Sequence, residues 1–272
     1  MNEAGSEYEK ISPTALGVAY CRALTDIPFS KELFEQLISV SDVEPRQFET
    51  MRSLTPMFEA RFKLTDRILN EEAAVQVLEL AAGFSPRGLA FKGSAYVEVD
   101  LPGVMAIKRK LVGAIGSRAN LFIEDGNVLE TEAMERVSSH FSPGALFVVN
   151  EGLLRYLNFE EKAAVARNVH DLLKKRGGAW ITPDITVLRE RPTNEISDLT
   201  KEIGKSIGRD LKEQAFENEG AAVRFFRGIG FSVQSRSFGE VEAELVSLKS
   251  IPVSAEERAF CLDRQAFILK PL

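Results

Sequence analysis

The chain has 272 residues, 44% of them hydrophobic and 27% charged, with a formal net charge of −6. That length suits one large domain with a cap and a substantial core, and no apolar run approaches the roughly 20 residues of a membrane span. An acidic chain also lacks the extended basic face that broad nucleic-acid binding requires.

The first ten residues, MNEAGSEYEK, are polar and acidic where a signal peptide would be basic and then apolar, so a cytoplasmic location is expected. Ser12-Pro13 reads as a cap with proline at the first helical position, followed by Ala15, Leu16, Ala19 and Leu24 at helical spacing. Ser30 opens a second helix with Leu33, Phe34, Leu37 and Ile38 on one face. Thr55-Pro56 opens a third, which carries Arg61 and Asp66. From residue 75 the pattern changes to strands separated by helices: VQVLEL, SAYVEVD, ANLFIED, ALFVVNEG and GAWITPD. The clearest intervening helices are 102–115 and 158–175, the latter opened by Asn158 with Glu161 as a capping box and ended by KKRGG with a glycine stop. A polar segment from 185 to 218 reads as helices interrupted by Gly204 and Gly208. A last helix, AAVRFFRGIGF, and two strands, SVQSRSF and RQAFILKPL, complete the chain.

Strands alternating with helices predict a doubly wound α/β sheet, here seven-stranded and Rossmann-like. The expected division is an N-terminal helical segment over the site (1–72), a cofactor-binding core (73–184), a helical cap (185–218) and the remainder of the core (219–272). Cys21 and Cys261 have neither disulfide-framework nor metal-site spacing and are read as buried free thiols, with no metal expected.

Ligands of such sheets bind beyond the carboxyl ends of the strands. Those ends read Gly83, Asp100, Asp125 to Asn127, Glu151 and Asp184. Neither a G-x-G-x-x-G nor a G-x-x-x-x-G-K-[ST] loop is present, so phosphates are not the expected handle. Asp100 closes the second strand, where a carboxylate can accept two ribose hydroxyls. Acids at the other strand ends suit an ammonium or a sulfonium, so the ligand expected from these residues is S-adenosylmethionine.

The stretches VLELAAGFSPRG, YVEVDLPGVMAIKRKLV and FVVNEGLLRYLNFEE resemble successive motifs of the leucine carboxyl methyltransferase family and its polyketide O-methyltransferase relatives. EARFKLTDRIL and SPTALGVAYCRAL resemble that family's segments before the first strand, so the likeness spans nearly the whole chain outside 185–218. It implies a class I methyltransferase fold, with S-adenosylmethionine as cofactor and S-adenosylhomocysteine as product. Gly83 would lie under the cofactor, and Asp100, with Leu101 beside it, would hold the ribose. Glu151 would take the methionine ammonium and Arg61 the methionine carboxylate; Glu79 is expected at the site on its own position, an acid inside an apolar strand. The pair that flanks adenine in the family falls on Asn127-Val128, with Asp125 as the other counterpart. Arg87 matches an arginine of the glycine loop and, with Arg22, is assigned to the acceptor, and Ser85-Pro86 stands where many relatives have Asp-Thr. Tyr156 is the candidate catalytic side chain.

Structural alternatives stand beside these roles: Glu79 as a satisfied buried carboxylate, Asp100 as a helix cap, Glu151 as the start of a loop, Arg61 paired with an acid such as Glu59, Tyr156 as core, and for Arg22 a purely structural role is the favoured one. His140 and His170 are placed away from the reaction centre, which favours an acceptor that needs no base. The implied activity is methyl transfer to a carboxylate or hydroxyl of a small polyketide-like molecule or a carboxyl terminus, by a monomer or homodimer. Cofactor binding without catalysis and a nicotinamide oxidoreductase are the alternatives.

Overall fold

The computed structural model describes residues 13–41, 43–188 and 210–272. Three helices come first: α1 (Pro13–Ala23), α2 (Ser30–Ser39) and α3 (Thr55–Glu71), with a 3-10 segment at Pro45–Leu54 between the last two. Then follow β1 (Gln76–Leu80), the short α4 (Arg87–Ala90), β2 (Ala95–Asp100), α5 (Pro102–Ile115), β3 (Leu121–Asp125), α6 (Thr131–Ser138), β4 (Leu146–Asn150), α7 (Phe159–Arg176) and β5 (Gly178–Thr182). The chain ends with α8 (Glu219–Ile229), β6 (Phe231–Ser237), the turn α9 (Ser247–Ser250), α10 (Ala255–Leu262) and β7 (Gln265–Pro271).

All seven strands join one sheet in the order β3-β2-β1-β4-β5-β7-β6. The first five are parallel, and β7 runs antiparallel to both β5 and β6. Parallel strands covered on both faces should be apolar throughout, and β1 and β4 are buried at every position. Side chains alternate across the sheet with the strand period of two. Val77, Tyr96, Phe147, Val149 and Ile181 pack with α1, α2, α3 and α5. Leu78, Val97, Val148, Trp180 and Leu269 pack with α6, α7 and α8. The result is three layers with a core on each face of the sheet.

Outside 185–218 the expected elements form, and the Asn158–Glu161 capping box at α7 is complete, each side chain bonding the other's backbone at 2.8 Å; the described ends of that segment, 185–188 and 210–218, hold no helix. Two local readings change. Ser30 begins α2 but does not cap it with its side chain, because the residue before it, Phe29, enters through the left-handed region at φ 63° and Ser30 is buried. The C-terminal part holds more helix than expected, α9 and α10, on the face packed by α3. Ser12 and the Gly204 and Gly208 region of the expected cap lie outside the described residues. Among the described residues no helix is long and apolar enough to cross a membrane. Cys21 and Cys261 are buried and unpaired.

Candidate functional site

β1 and β4 are neighbours whose connections leave in opposite directions, β1 toward β2 and β4 toward β5, so a crevice opens beyond their carboxyl ends. A cavity of about 350 Å³ occupies that position, at the lower end of the range for small-molecule sites. From α1 it takes Thr14, Ala15, Val18 and Arg22, and from α3 Phe58 and Arg61. The β1 strand and its loop add Glu79 and residues 81–85, and the β2 end adds Asp100, Leu101 and Val104. The loop after β4 supplies residues 151–153 and 155–157.

The β1 loop is shaped by backbone that most side chains resist. Ala81 and Gly83 sit at φ 50° and 48°, in the left-handed region. For Ala81 this stores local strain, a feature that gathers at functional sites. A Cβ placed on Gly83 would meet nothing within 4 Å, so its glycine serves the backbone turn and leaves open space beside it. The Gly83 N–H donates to Asp100 Oδ2 at 2.8 Å, and the Leu101 N–H donates to Oδ1 at 2.7 Å. Asp100 therefore holds the glycine loop and, through Leu101, the backbone just before α5. Burial raises its pKa, partly offset by those two donors. A carboxyl group whose pKa is raised by folding opposes folding above its ordinary value, a cost characteristic of site residues.

Beside it lies a cluster of three arginines and three acids. Arg22 Nη2 and Arg61 Nε donate to the same oxygen of Glu151 at 2.6 and 2.7 Å, and Arg87 Nη2 donates to the other. Arg87 also reaches Asp66 at 2.6 Å and Glu79 at 3.0 Å, and lies over the Phe62 ring at 4.0 Å. Tyr96 completes Glu79 with a 2.7 Å hydrogen bond. Burial alone would raise the Glu151 pKa, but Arg22, Arg87 and Arg61 pull it far below the carboxylate range. Burial lowers the Arg22 pKa, although Glu151 supports its charge. Arg22 is only 5% exposed and its Nε has no hydrogen-bond partner among the described residues, a donor left over for a ligand.

The structure thus brings Arg22, Arg61, Glu79, Gly83, Asp100, Leu101, Glu151 and Tyr156 to one cavity. It does not bring Arg87 to the lining: the guanidinium is held by Asp66, Glu79 and Glu151 as a buried clamp. Asp125, Asn127 and Val128 do not line the cavity either. Asp125 is bound by Arg109 at 2.6 Å, and Asn127 Oδ1 accepts from the Leu129 N–H of its own turn. Arg61 does not pair with Glu59, which accepts instead from Val246 and Ser247 N–H at 3.0 Å. Lining residues that sequence reasoning missed include Thr14, Phe58, Val104 and Arg155. Thr14, Phe58 and Val104 lie inside helices, where neither their type nor their spacing sets them apart, and Arg155 lies inside a motif that other residues carry. Neither histidine lines the cavity: His140 pairs with Glu124 at 2.9 Å and stacks on Phe122, and His170 packs edge-on to Phe231.

Residues 19–170, more than half of the chain, match the family described as leucine carboxyl methyltransferase. No curated protein matches the sequence. Among solved structures, a DUF574 family protein from Streptomyces avermitilis MA-4680 is 14% identical with a TM-score of 0.58, covering 98% of this chain and 100% of that one. Magnesium protoporphyrin IX methyltransferase from Synechocystis PCC 6803, solved with bound SAH, is 11% identical with a TM-score of 0.50, covering 89% and 94%. At these identities the likeness is one of fold.

Proposed function

Because the chain belongs to the leucine carboxyl methyltransferase family of S-adenosylmethionine-dependent enzymes, we propose that it transfers a methyl group from that cofactor to an oxygen of a small acceptor, most economically a carboxylate. The observation that carries this reading is the meeting of Gly83, Asp100 and the Arg22–Arg61–Glu151 cluster around one cavity. These residues fit the cofactor. The open space over Gly83 admits a ligand against the backbone, and Asp100 is a buried carboxylate able to take ribose hydroxyls. Arg22 and Arg61 provide guanidinium groups for the methionine carboxylate, and Glu151 and Glu79 provide negative charge for the ammonium. When bound, the sulfonium supplies an electrophilic methyl group.

The chain's own contribution is orientation and exclusion of water. Phe58, Val104 and Leu153 present apolar surface around the charged cluster, and in such surroundings a nucleophilic oxygen held about 3 Å from its target gains most of its rate from placement. Tyr156 and Arg155 stand on the same loop as Glu151 and are the side chains we assign to the acceptor. We assign α1 and α3, which line the cavity with Thr14, Arg22, Phe58 and Arg61, to the part of the site that covers the cofactor.

Calorimetric titration tests the reading. S-adenosylhomocysteine should bind with a dissociation constant on the order of micromolar, about −8 kcal/mol, and a nicotinamide dinucleotide should bind far more weakly. Tighter binding of the dinucleotide would overturn it. Turnover should not depend on imidazole: a folded His140→Ala, His170→Ala double variant keeps most of its rate, since both rings are engaged away from the cavity. With a carboxylate acceptor the rate stays flat from about pH 6 to 8, whereas a phenol would show a rise toward its pKa near 10. A loss of more than about a hundredfold in the double variant would point to a histidine base.

A further inference from the structure

One acid at a strand end takes no part in the cluster described above. Asp184 follows β5 and is 5% exposed. Its Oδ2 accepts the Leu153 N–H at 2.5 Å, the Leu154 N–H at 2.6 Å and the Asn150 Nδ2–H at 3.3 Å. Asn150 in turn accepts from the buried Trp180 Nε1–H at 2.8 Å. Burial raises the Asp184 pKa, opposed by the charges of Arg61 and Arg155 and by the Leu154 and Leu153 N–H groups.

The backbone that Asp184 grips is the loop that builds one wall of the cavity. Glu151, Leu153, Arg155 and Tyr156 all line it, while Leu154 turns inward and is fully buried. Gly152, at φ 85°, reverses the chain just after Glu151. The 3-10 turn Leu154–Tyr156 that follows has no side-chain cap from Leu153. Its first N–H groups would be orphaned in the interior, unsatisfied donors with no water to replace the lost partner, were Asp184 not there. The far end of the loop is fixed separately by the Asn158 capping box. Asp184 is therefore what determines the near end.

We propose that Asp184 is a positioning residue of the site: through the Leu153 and Leu154 N–H groups it sets the 151–157 loop, and with it Glu151 and Tyr156, in the arrangement that receives the cofactor. The proposal rests on the cofactor reading of this cavity. It makes β5, which lends no side chain to the cavity wall, a determinant of binding.

The test compares Asp184→Asn, which keeps an amide oxygen for both N–H groups, with Asp184→Ala, which leaves them unpaired. S-adenosylhomocysteine affinity is measured by calorimetry at a temperature where all proteins are folded by circular dichroism, alongside amide hydrogen exchange. Asp184→Ala should bind about tenfold or more weakly and exchange faster at 151–157 with little change elsewhere, and Asp184→Asn should stay within about threefold of the parent. Wild-type affinity in a folded Asp184→Ala, loss in Asp184→Asn equal to that in Asp184→Ala, or faster exchange spread over the whole chain would each overturn the proposal. Should Asp184→Ala not fold, Asp184→Ser, whose shorter hydroxyl cannot serve both N–H groups, takes its place. If the parent protein itself fails to bind S-adenosylhomocysteine, the cofactor reading is what fails, and the exchange pattern still decides whether Asp184 sets the loop.

Discussion

Glu151→Ala is expected to lower the midpoint of thermal unfolding by roughly 10 °C or to abolish folding, although it removes a residue of the site and none of the hydrophobic core. The side chain of Glu151 is 2% exposed and bonds Arg22, Arg61 and Arg87. Removing it leaves three guanidinium groups buried together, and breaking a buried ion cluster by deleting one partner costs about 3–5 kcal/mol. For a chain of this size each kcal/mol shifts the midpoint by about 2–4 °C. The pH dependence carries the same sign. Because folding depresses the Glu151 pKa, its contribution is complete above the ordinary carboxylate value of 4.5 and is lost as pH falls below it toward the folded value. Melting curves of the parent protein and Glu151→Gln between pH 3 and about 7 are the check: the gap between them should narrow on acidification, and a constant gap would remove Glu151 from its role as counter-ion.

Asp100→Ala should weaken S-adenosylhomocysteine binding about 10- to 100-fold, corresponding to about 1–3 kcal/mol. Two losses combine. The ribose hydroxyls lose their acceptor, and the Gly83 N–H, held by Oδ2 at 2.8 Å, is freed to let the glycine loop drift. Folding raises the Asp100 pKa, so in the parent protein affinity should fall as pH drops through that raised value and Asp100 takes up a proton. The variant should lose this pH dependence. Arg61→Ala should produce a comparable loss of affinity while keeping the pH dependence that Asp100 confers. Unchanged affinity in both folded variants would move the site elsewhere.

How far these residues were readable in the sequence depends on what each one needed. Glu79, Asp100 and Glu151 were visible because each interrupts or ends an apolar strand of period two, and strand ends in a parallel sheet face the ligand side by topology alone. Arg87 was visible as a charge but not as a clamp, since sequence position does not say which way a guanidinium on a tight turn will reach. Here Glu79 lies one strand-turn away and Asp66 lies on a helix that only tertiary packing brings near. Asp125 shows the same limit: the sequence does not say that Arg109, sixteen residues earlier, returns along α5 to pair with it. The helices α6, α9 and α10 have only four to eight residues, too short for a 3.6-residue repeat to declare itself. Asp184 was noted as a strand end, but its work is done on backbone N–H groups, which every residue carries and no sequence pattern marks.

The convergence on Glu151 also has a consequence for how the protein comes into being on the ribosome. Its three arginines lie 129, 90 and 64 residues earlier in the chain. At synthesis rates of about 5–20 residues per second, Arg22 waits on the order of ten seconds for its counter-ion to be made. During that interval Arg22 of α1 and Arg61 of α3 lack the counter-ion they will share, and the three helices present apolar faces that no sheet yet covers. The N-terminal helices are in this sense a lobe that translation leaves unfinished: β4 delivers Glu151 to α1 and α3, and residues 238–262 cover the rest of α3 later. Nascent chains cut between about residues 80 and 150 should accordingly be protease-sensitive throughout their first three helices, and protection of α1 should appear once the β4 loop has cleared the exit tunnel.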